Sequence, residues 1–180
     1  LQNKNTLLID IGGGSVEITH SFNGDFQECL TFPAGTVRVL ETLRRKKLKE
    51  DYLPKIIGLQ KKLFAFITAI KRRKKIDFIV GSGGNFECIL RLRVQILKKT
   101  ESNKFTLKEL QAIILFVSQT SISQRMNELD MHSDRADVIL PACYTIEKMM
   151  QTAGVETCVV PGCGLKEGIL YELRDKLLQF

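Results

Sequence analysis

The apolar positions near the start of the chain follow patterns that are typical of β-strands. Residues 7–9 form an unbroken apolar run, as in a strand buried on both faces, and the run ends at Asp10. Val16 and Ile18 then alternate with polar residues, as in a strand with one buried face. A turn at Asn23 and Gly24 leads to a third strand over residues 25–32. We therefore expect three consecutive antiparallel strands.

The rest of the chain alternates helical stripes with two further apolar runs. The runs at residues 76–80 and 155–160 predict strands, and each is followed by a glycine-containing turn and a new helical stripe. These connections are long enough for parallel crossovers. The pattern predicts an α/β domain with a five-stranded mixed sheet and helices on both faces. The predicted helices begin at or near Thr36, Leu53, Phe86, Thr106, Ser121, Asp134 and Leu165.

Four of these predicted helices have sequence signals for their length, an internal break or their first residue. The helix from Leu53 reaches Ile70 as one amphipathic stretch, with buried positions at Leu53, Ile56, Ile57, Leu63, Phe64, Ile67 and Ile70. The long helix that begins at Asp134 contains Pro141, which should kink it or mark a restart. Thr106 and Ser121 are predicted caps, the second for a helix that extends through Met126 and Leu129.

Length and composition indicate one globular domain over residues 1–180. The net charge of +7 argues for an acidic partner, with which polyphosphate, a nucleotide, RNA or a membrane surface would be compatible. The five cysteines lack paired spacing, which suggests reduced, mostly buried thiols in a cytoplasmic protein. His20 and His132 are isolated, so a structural or solvated role is favoured over metal binding. No membrane-spanning run or signal sequence is visible.

The turn after the first strand carries the clearest candidate chemistry. Gly12, Gly13 and Gly14 follow Asp10, and their backbone amides can approach a ligand without an intervening Cβ. Beyond the turn, Ser15 and Glu17 fall on one face of the second strand. Amides and a hydroxyl beside two carboxylates suit a phosphate that arrives with Mg²⁺. The alternative is a tight hairpin in which Asp10 is a turn acceptor.

A second glycine turn, formed by Gly81, Ser82 and Gly83, joins a strand to a helix. The free amides at the start of that helix make the turn another anion-binding candidate. On spacing alone, a tight connection without a ligand fits the residues equally well.

Several basic residues have both a functional and a structural interpretation. Arg38 could bind phosphate or pair with Glu41 on a helix surface. For Arg135, an ion pair with the flanking Asp134 and Asp137 is favoured over phosphate binding. Solvation and helix capping are favoured over a polyanion site for two basic runs, residues 44–47 and 71–75.

Five stretches of the chain together resemble one family. In order they are residues 10–17 (DIGGGSVE), 33–41 (PAGTVRVLE), 81–85 (GSGGN), 134–141 (DRADVILP) and 164–172 (GLKEGILYE). They resemble the exopolyphosphatase and guanosine pentaphosphate phosphatase family, within the superfold of actin, sugar kinases and heat-shock ATPases. The first stretch is similar to the family's second phosphate motif. Val16 departs from it, because the family usually has a small hydroxyl residue there.

The resemblance implies a ribonuclease H-like (actin-like ATPase) domain, and it identifies the chain as the C-terminal lobe of a two-lobed phosphatase core. The first lobe, with another catalytic glutamate and the first phosphate loop, would lie upstream of Leu1. We expect that N-terminal lobe to be a partner, with a homodimer as a further partner, and no membrane or specific nucleic acid. Since the chain begins without a start methionine, it reads as part of a longer bacterial protein.

The resemblance also implies an activity and assigns residues to it. The reaction would be Mg²⁺-dependent removal of the terminal phosphate from polyphosphate or guanosine pentaphosphate. Catalysis would use Glu17 and Asp10, with Asp10 on the metal. Phosphate would be bound by Gly12, Gly13, Gly14, Ser15, Gly81, Ser82, Gly83 and Arg38. The isolated chain would be an incomplete enzyme. Two alternatives are a non-catalytic polyanion-binding module and an ATPase or kinase lobe of the same superfold.

Overall fold

The computed structural model describes residues 3–162 together with residues 164, 170 and 174. Its strands are β1 (Asn5–Ile11), β2 (Val16–Phe22), β3 (Asp25–Phe32), β4 (Phe78–Ser82), β5 (Lys104–Thr106) and β6 (Thr157–Val159). Its helices are α1 (Thr36–Arg45), α2 (Leu53–Gly58), α3 (Lys61–Arg73), α4 (Gly84–Leu97), α5 (Leu107–Ser118), α6 (Ile122–Asn127), α7 (Ser133–Ala136) and α8 (Ile139–Ala153). A short 3₁₀ helix, Glu50–Tyr52, precedes α2.

All six of these strands form one mixed sheet in the order β3-β2-β1-β4-β6-β5. The antiparallel meander β1 to β3 and the parallel pairs β1–β4 and β4–β6 match the prediction. The predicted count of five strands is wrong, because β5 adds an antiparallel edge strand beside β6. That strand is too short to show a period in the sequence, since only Phe105 in it is buried.

The two faces of the sheet have different environments. Leu7, Ile9 and Ile79 point into the core, where they join the buried stripes of the helices in one hydrophobic cluster. On the opposite face, Leu8 is 40% exposed although it lies at the centre of β1. The helix predicted to start at Leu165 lies outside the described residues, apart from Leu170 and Arg174. The α/β class and the mixed sheet are confirmed.

Two predicted helices are divided in the structure. The stretch from Leu53 to Ile70 is broken after Gly58, where Leu59 and Gln60 donate to the carbonyls three residues earlier and close the last turn of α2. The helical spacing of the buried residues continues from α2 into α3, because both helices pack on the same core. Near Pro141 the helix restarts as α8, which is one of the two outcomes predicted for this residue. Pro141 lies in the first turn of α8, where its missing N–H leaves no hydrogen bond unmade.

The predicted caps are confirmed by their hydrogen bonds. Thr106 Oγ1 accepts from the Glu109 amide at 3.2 Å, and Glu109 Oε2 accepts from the Thr106 amide at 2.8 Å. Ser121 and Gln124 make the same reciprocal pair at the start of α6. That helix ends at Asn127, so the prediction that it continues to Leu129 is wrong.

His20 is a buried structural side chain in the second half of β2, close to the first residue of β1. Its Nε2 lies 2.6 Å from Asn5 Oδ1, and the Asn5 amide group donates to the carbonyls of Lys74 and Lys75. Nδ1 faces the Glu28 carboxylate at 3.5 Å. Burial lowers the pKa of His20 below its usual 6.5, partly opposed by Glu28.

We expect this histidine to make folding stability depend on pH. Below pH 6.5 the unfolded chain takes up a proton that native His20 resists, so stability should fall as the pH drops through that range. Urea unfolding between pH 5 and pH 8 measures the effect, and His20→Gln should flatten the dependence. A variant with an unchanged slope would show that other groups cause it.

Candidate phosphate-binding site

A row of polar side chains crosses four strands on the exposed face of the sheet. Asp10 of β1 is aligned with Ser82 of β4 on one side and with Glu17 of β2 on the other, and Glu17 is aligned with Thr31 of β3. Directly aligned residues share a face, so the two carboxylates stand side by side. This confirms that Asp10 and Glu17 lie together at the end of the opening hairpin.

The two carboxylates repel each other without a compensating cation from the protein. Among the described residues, no basic side chain forms an ion pair with Asp10 or Glu17. The pKa of Asp10 is raised, first by burial and then by the negative charge of Glu17. Mg²⁺ is commonly held by one or two carboxylates, with waters and phosphate oxygens as the other ligands. The chemistry of this pair therefore fits a magnesium ion that arrives with a phosphate.

The glycine turn points its carbonyls at the protein and leaves the amides of Gly13, Gly14 and Ser15 free, whereas the predicted phosphate donor Gly12 donates its amide to Ser15 O at 2.9 Å. Gly12 O accepts from the Thr36 amide at 3.1 Å, and Gly13 O accepts from the Val37 amide at 3.0 Å. Arg38 Nε donates to Gly14 O at 2.8 Å. Within the described chain, the amides of Gly13, Gly14 and Ser15 make no backbone hydrogen bond. These adjacent donors can bind an anion.

Two side chains that were predicted to bind phosphate, Arg38 and Ser15, make hydrogen bonds at the glycine turn. Arg38 holds the turn through Gly14 and forms no ion pair with Glu41 among the described residues, so the alternative of a surface pair is wrong. Ser15 Oγ donates to Glu17 Oε1 at 3.2 Å, which links the turn to the row of carboxylates. The side chains thus hold the turn and its neighbouring acid in a fixed relation.

Gly35 allows the close contact between the turn and α1. A Cβ on this residue would lie 2.3 Å from Gly13 O and 2.5 Å from the Gly14 carbonyl carbon. Backbone atoms cannot yield to such a contact by a change of rotamer, so a side chain here must displace the turn.

We expect Gly35→Ala to lower kcat/KM by about 100-fold, because a shift of about 1 Å in a positioning element costs this much. The measurement is steady-state phosphate release by the full-length protein. Gly58→Ala is the matched control, since a Cβ at Gly58 meets no atom within 4 Å. Equal activity in the two variants would contradict the positioning role of the turn.

The second glycine turn adjoins the first. Gly81 lies inside β4 against the Phe86 ring, and Ser82 stands beside Asp10 in the polar row. Gly83 has a φ of +90°, and a Cβ on it would lie 3.2 Å from Asp10 Oδ1. The start of α4 is joined to β1 by Asn85, whose Nδ2 donates to Ile11 O at 2.7 Å. The structure therefore brings both predicted turns together around Asp10.

The model of the Ppx/GppA phosphatase family matches residues 1–177. The chain belongs to this family. The resemblance inferred from the five sequence stretches is confirmed.

Relatives of the Ppx/GppA family agree with this assignment. Exopolyphosphatase 1 of Mycobacterium leprae (strain TN) is 23% identical over 178 residues, which cover 93% of this chain and 51% of that protein. The chain thus spans about half the length of the curated relative it matches. An exopolyphosphatase structure from Cytophaga hutchinsonii has a TM-score of 0.82 at 19% identity, covering 98% of this chain and 59% of that chain. The Aquifex aeolicus Ppx/GppA phosphatase has a TM-score of 0.76 at 21% identity, covering 93% and 56%.

For Arg135, the sequence analysis favoured contacts that this Ppx/GppA chain does not make. The predicted ion pair with Asp134 or Asp137 is not among those of the described residues, and Asp137 instead lies 3.3 Å from Arg44 Nη2. Arg135 Nη1 lies 3.4 Å from Asn85 Oδ1. The side chain lines a pocket of about 330 Å³ with Asp10, Gly12 and Gly84. The sequence did contain a signal for a site role, because Arg135 lies in residues 134–141, one of the stretches that resemble the family. The adjacent acids Asp134 and Asp137 favoured an ion pair instead.

The basic run 71–75 lies at the other end of the sheet from the glycine turn. Asn5, at the start of β1, binds the carbonyls of Lys74 and Lys75, whereas the turn follows the end of β1. Seven strand residues separate these ends by roughly 20 Å. Lys71 Nζ donates to a carbonyl of α8, Arg73 pairs with Glu28, and Lys74 lies over the Phe22 ring. Lys71, Arg72 and Arg73 lie in the last turn of α3, as the capping interpretation predicted, and the contacts with other elements are structural interactions that it did not include.

The remaining sequence predictions concern cysteines and membranes. Cys88, Cys143 and Cys158 are buried and Cys29 is exposed, while Cys163 lies outside the described residues. Burial raises the pKa of the Cys158 thiol to about 12. Over the described part of the chain, each helix is too short or too polar to cross a membrane.

Proposed function

We propose that this chain is the C-terminal lobe of a phosphohydrolase that removes the terminal phosphate of inorganic polyphosphate or guanosine pentaphosphate. The observation that carries the proposal is the set of free amides at Gly13, Gly14 and Ser15 beside the facing carboxylates of Asp10 and Glu17. Family membership over residues 1–177 and the exopolyphosphatase named among the relatives support the same reaction class.

Each residue of this set has a role that its position allows. The three amides hold the phosphate oxygens, while the single proton of the Ser15 hydroxyl is donated to Glu17. Asp10 holds Mg²⁺ directly or through water, and the ion, when bound, supplies neutralisation of phosphate charge. Glu17 orients and polarises the attacking water, with its own carboxylate fixed by Ser15 Oγ. Phosphoryl transfer depends mainly on positioning and charge neutralisation, so a carboxylate of ordinary basicity suffices.

The complete active site also requires a first lobe. Because the chain spans about half of its curated relative, we propose that a second half of the full-length protein supplies the first phosphate loop and another catalytic glutamate. The isolated lobe should then bind phosphate weakly and turn over poorly. We place the enzyme in the cytoplasm.

Side-by-side phosphate release tests the proposal against its alternatives. The full-length protein is assayed with long-chain polyphosphate, guanosine pentaphosphate and ATP at the same Mg²⁺ concentration. We expect hydrolysis of polyphosphate or guanosine pentaphosphate at rates well above that of ATP. Preference for ATP would favour the kinase or chaperone alternative. Binding without hydrolysis, unaffected by Asp10→Asn and steeply weakened by salt, would favour a polyanion-binding module.

A further inference from the structure

Strand β3 is an open edge of the sheet. It pairs with β2 on one side, and the order of the described strands leaves its other side without a neighbour. On this strand Phe26 is 68% exposed and Leu30 is 46% exposed. An edge strand with free backbone groups and exposed apolar side chains is a template for pairing with another strand.

A β-bulge restricts regular pairing to the second half of β3. The alignment of β2 with β3 shifts between His20 and Ser21, and it skips Gln27. From Glu28 to Phe32 the alignment is regular. An added strand should therefore pair with this second half.

A groove of about 470 Å³ borders the second half of β3. One wall runs from Leu30 to Ala34, and the other runs from Leu59 to Leu63 at the junction of α2 and α3. Leu30 is aligned with the buried Ile18, so its side chain points to the core side of the sheet. Leu59 is also exposed. The groove thus offers apolar contacts to the side chains of an added strand.

Two cations line this groove. Lys61 and Lys62 are exposed in the first turn of α3. Among the described residues, neither lysine forms an ion pair. The helix dipole disfavours cations at the start of a helix, so a carboxylate from a partner would be stabilised beside them. The added strand should therefore carry an acid close to an apolar residue on one face.

The second half of β3 has this pattern itself. Glu28, Leu30 and Phe32 alternate along the strand and share the core side of the sheet. In an antiparallel pair with Leu30 opposite the partner's Leu30, Glu28 falls opposite the partner's Phe32. Phe32 lines the groove together with Lys61 and Lys62. Each carboxylate would thus lie beside the lysines of the other copy, and the contact would be the same on both copies.

We propose that two copies of this chain associate through β3, with residues 28–32 of each copy antiparallel and the two-fold axis at Leu30. The pairing joins the two sheets into one continuous sheet. Because the axis is perpendicular to the sheet, the polar rows with Asp10 and Glu17 lie on the same face of the joined sheet. This association is independent of the proposed function.

Leu30→Lys in the full-length protein tests this association, since an inward-pointing charge on an edge strand prevents pairing. Sedimentation equilibrium at micromolar concentrations measures the mass in solution. The wild-type protein should be a dimer, and Leu30→Lys should have half its mass. Phe26→Lys is the matched control, because Phe26 is a more exposed apolar residue of the same strand that precedes the bulge. This control should remain a dimer, and circular dichroism checks that both variants are folded.

A crosslink tests the register of the two strands. In the proposed pair, Thr31 falls opposite the partner's Cys29, and Cys29 is exposed. Opposed residues of antiparallel strands have Cα atoms about 4.5–5.5 Å apart, within the range that a disulfide spans. Oxidation of Thr31→Cys with copper phenanthroline should therefore give a covalent dimer. Adding Cys29→Ser to this variant should abolish the crosslink.

Three results would overturn the proposal. A monomeric wild-type protein would leave the β3 edge open to a strand of a different protein. A dimer that persists in Leu30→Lys and does not crosslink through Thr31→Cys would lie on another surface. Equal dissociation of Leu30→Lys and Phe26→Lys would show that added charge, and not the position on β3, disrupts the dimer.

Discussion

Replacing Glu17 with glutamine is expected to lower kcat of the full-length protein by about 10²–10⁴-fold, the usual contribution of a positioned acid or base. Glutamine keeps the size of the side chain and can still accept the hydrogen bond from Ser15 Oγ. It cannot take a proton from the attacking water or orient it by negative charge. The free amides of the turn remain, so KM should change little.

Phosphate release at saturating substrate measures this loss. Glu41→Gln is the matched control, because Glu41 is an exposed carboxylate on α1 outside the polar row. The control should retain wild-type kcat. Should Glu17→Gln keep full activity as well, the water-orienting role would belong to another group, and the pairing of Glu17 with Asp10 would serve only the metal.

The pairing of these two acids could be predicted from the sequence because strand geometry is simple. Alternation buries Val16 and Ile18 and turns Glu17 to the opposite face. A short hairpin turn then fixes the register that aligns Asp10 with Glu17. The same reasoning placed the second glycine turn at the adjacent strand end, since β4 runs parallel to β1.

The orientation of the glycine turn could not be predicted in this way. Its amides face outward because its carbonyls are bound by Thr36, Val37 and Arg38, and that contact depends on the missing side chain of Gly35. Sequence spacing says nothing about such a docking between elements. Arg135 was misplaced for a similar reason, because acids adjacent in sequence competed with an amide that is distant in sequence but close in the fold.

Arg125 was also hidden from the sequence analysis, although it is among the largest fully buried side chains. It lies on the short helix α6, where a solvated arginine would be expected. Its Nη2 donates to Glu50 Oε2 at 2.8 Å and to the carbonyls of Val117 and Thr120, both at 3.1 Å. Nη1 donates to Ala136 O at 3.1 Å. One guanidinium thus joins α5, α6, α7 and the 3₁₀ helix.

Arg125→Ala should reduce the free energy of unfolding by about 3–5 kcal/mol, because each buried carbonyl that loses its donor costs about 1–3 kcal/mol, whereas the Glu50 carboxylate is 36% exposed and can be rehydrated. The variant would leave several buried carbonyls without a donor, and Arg125→Lys should recover little, because a single ammonium cannot match the planar fork. Urea unfolding followed by circular dichroism measures the change. Arg73→Ala breaks the exposed pair with Glu28 and should cost at most about 1 kcal/mol.

The contrast between Arg125 and Arg73 also extends to the candidate phosphate-binding site. Ala136 directly follows Arg135, so the hydrogen bond from Arg125 to the Ala136 carbonyl fixes the backbone beside the arginine that lines the pocket containing Asp10. Arg125→Ala should therefore raise KM for phosphate substrates even at temperatures where the variant is folded, whereas Arg73→Ala should not. Equal effects of the two variants on both stability and KM would mean that the packing of α7 alone positions Arg135.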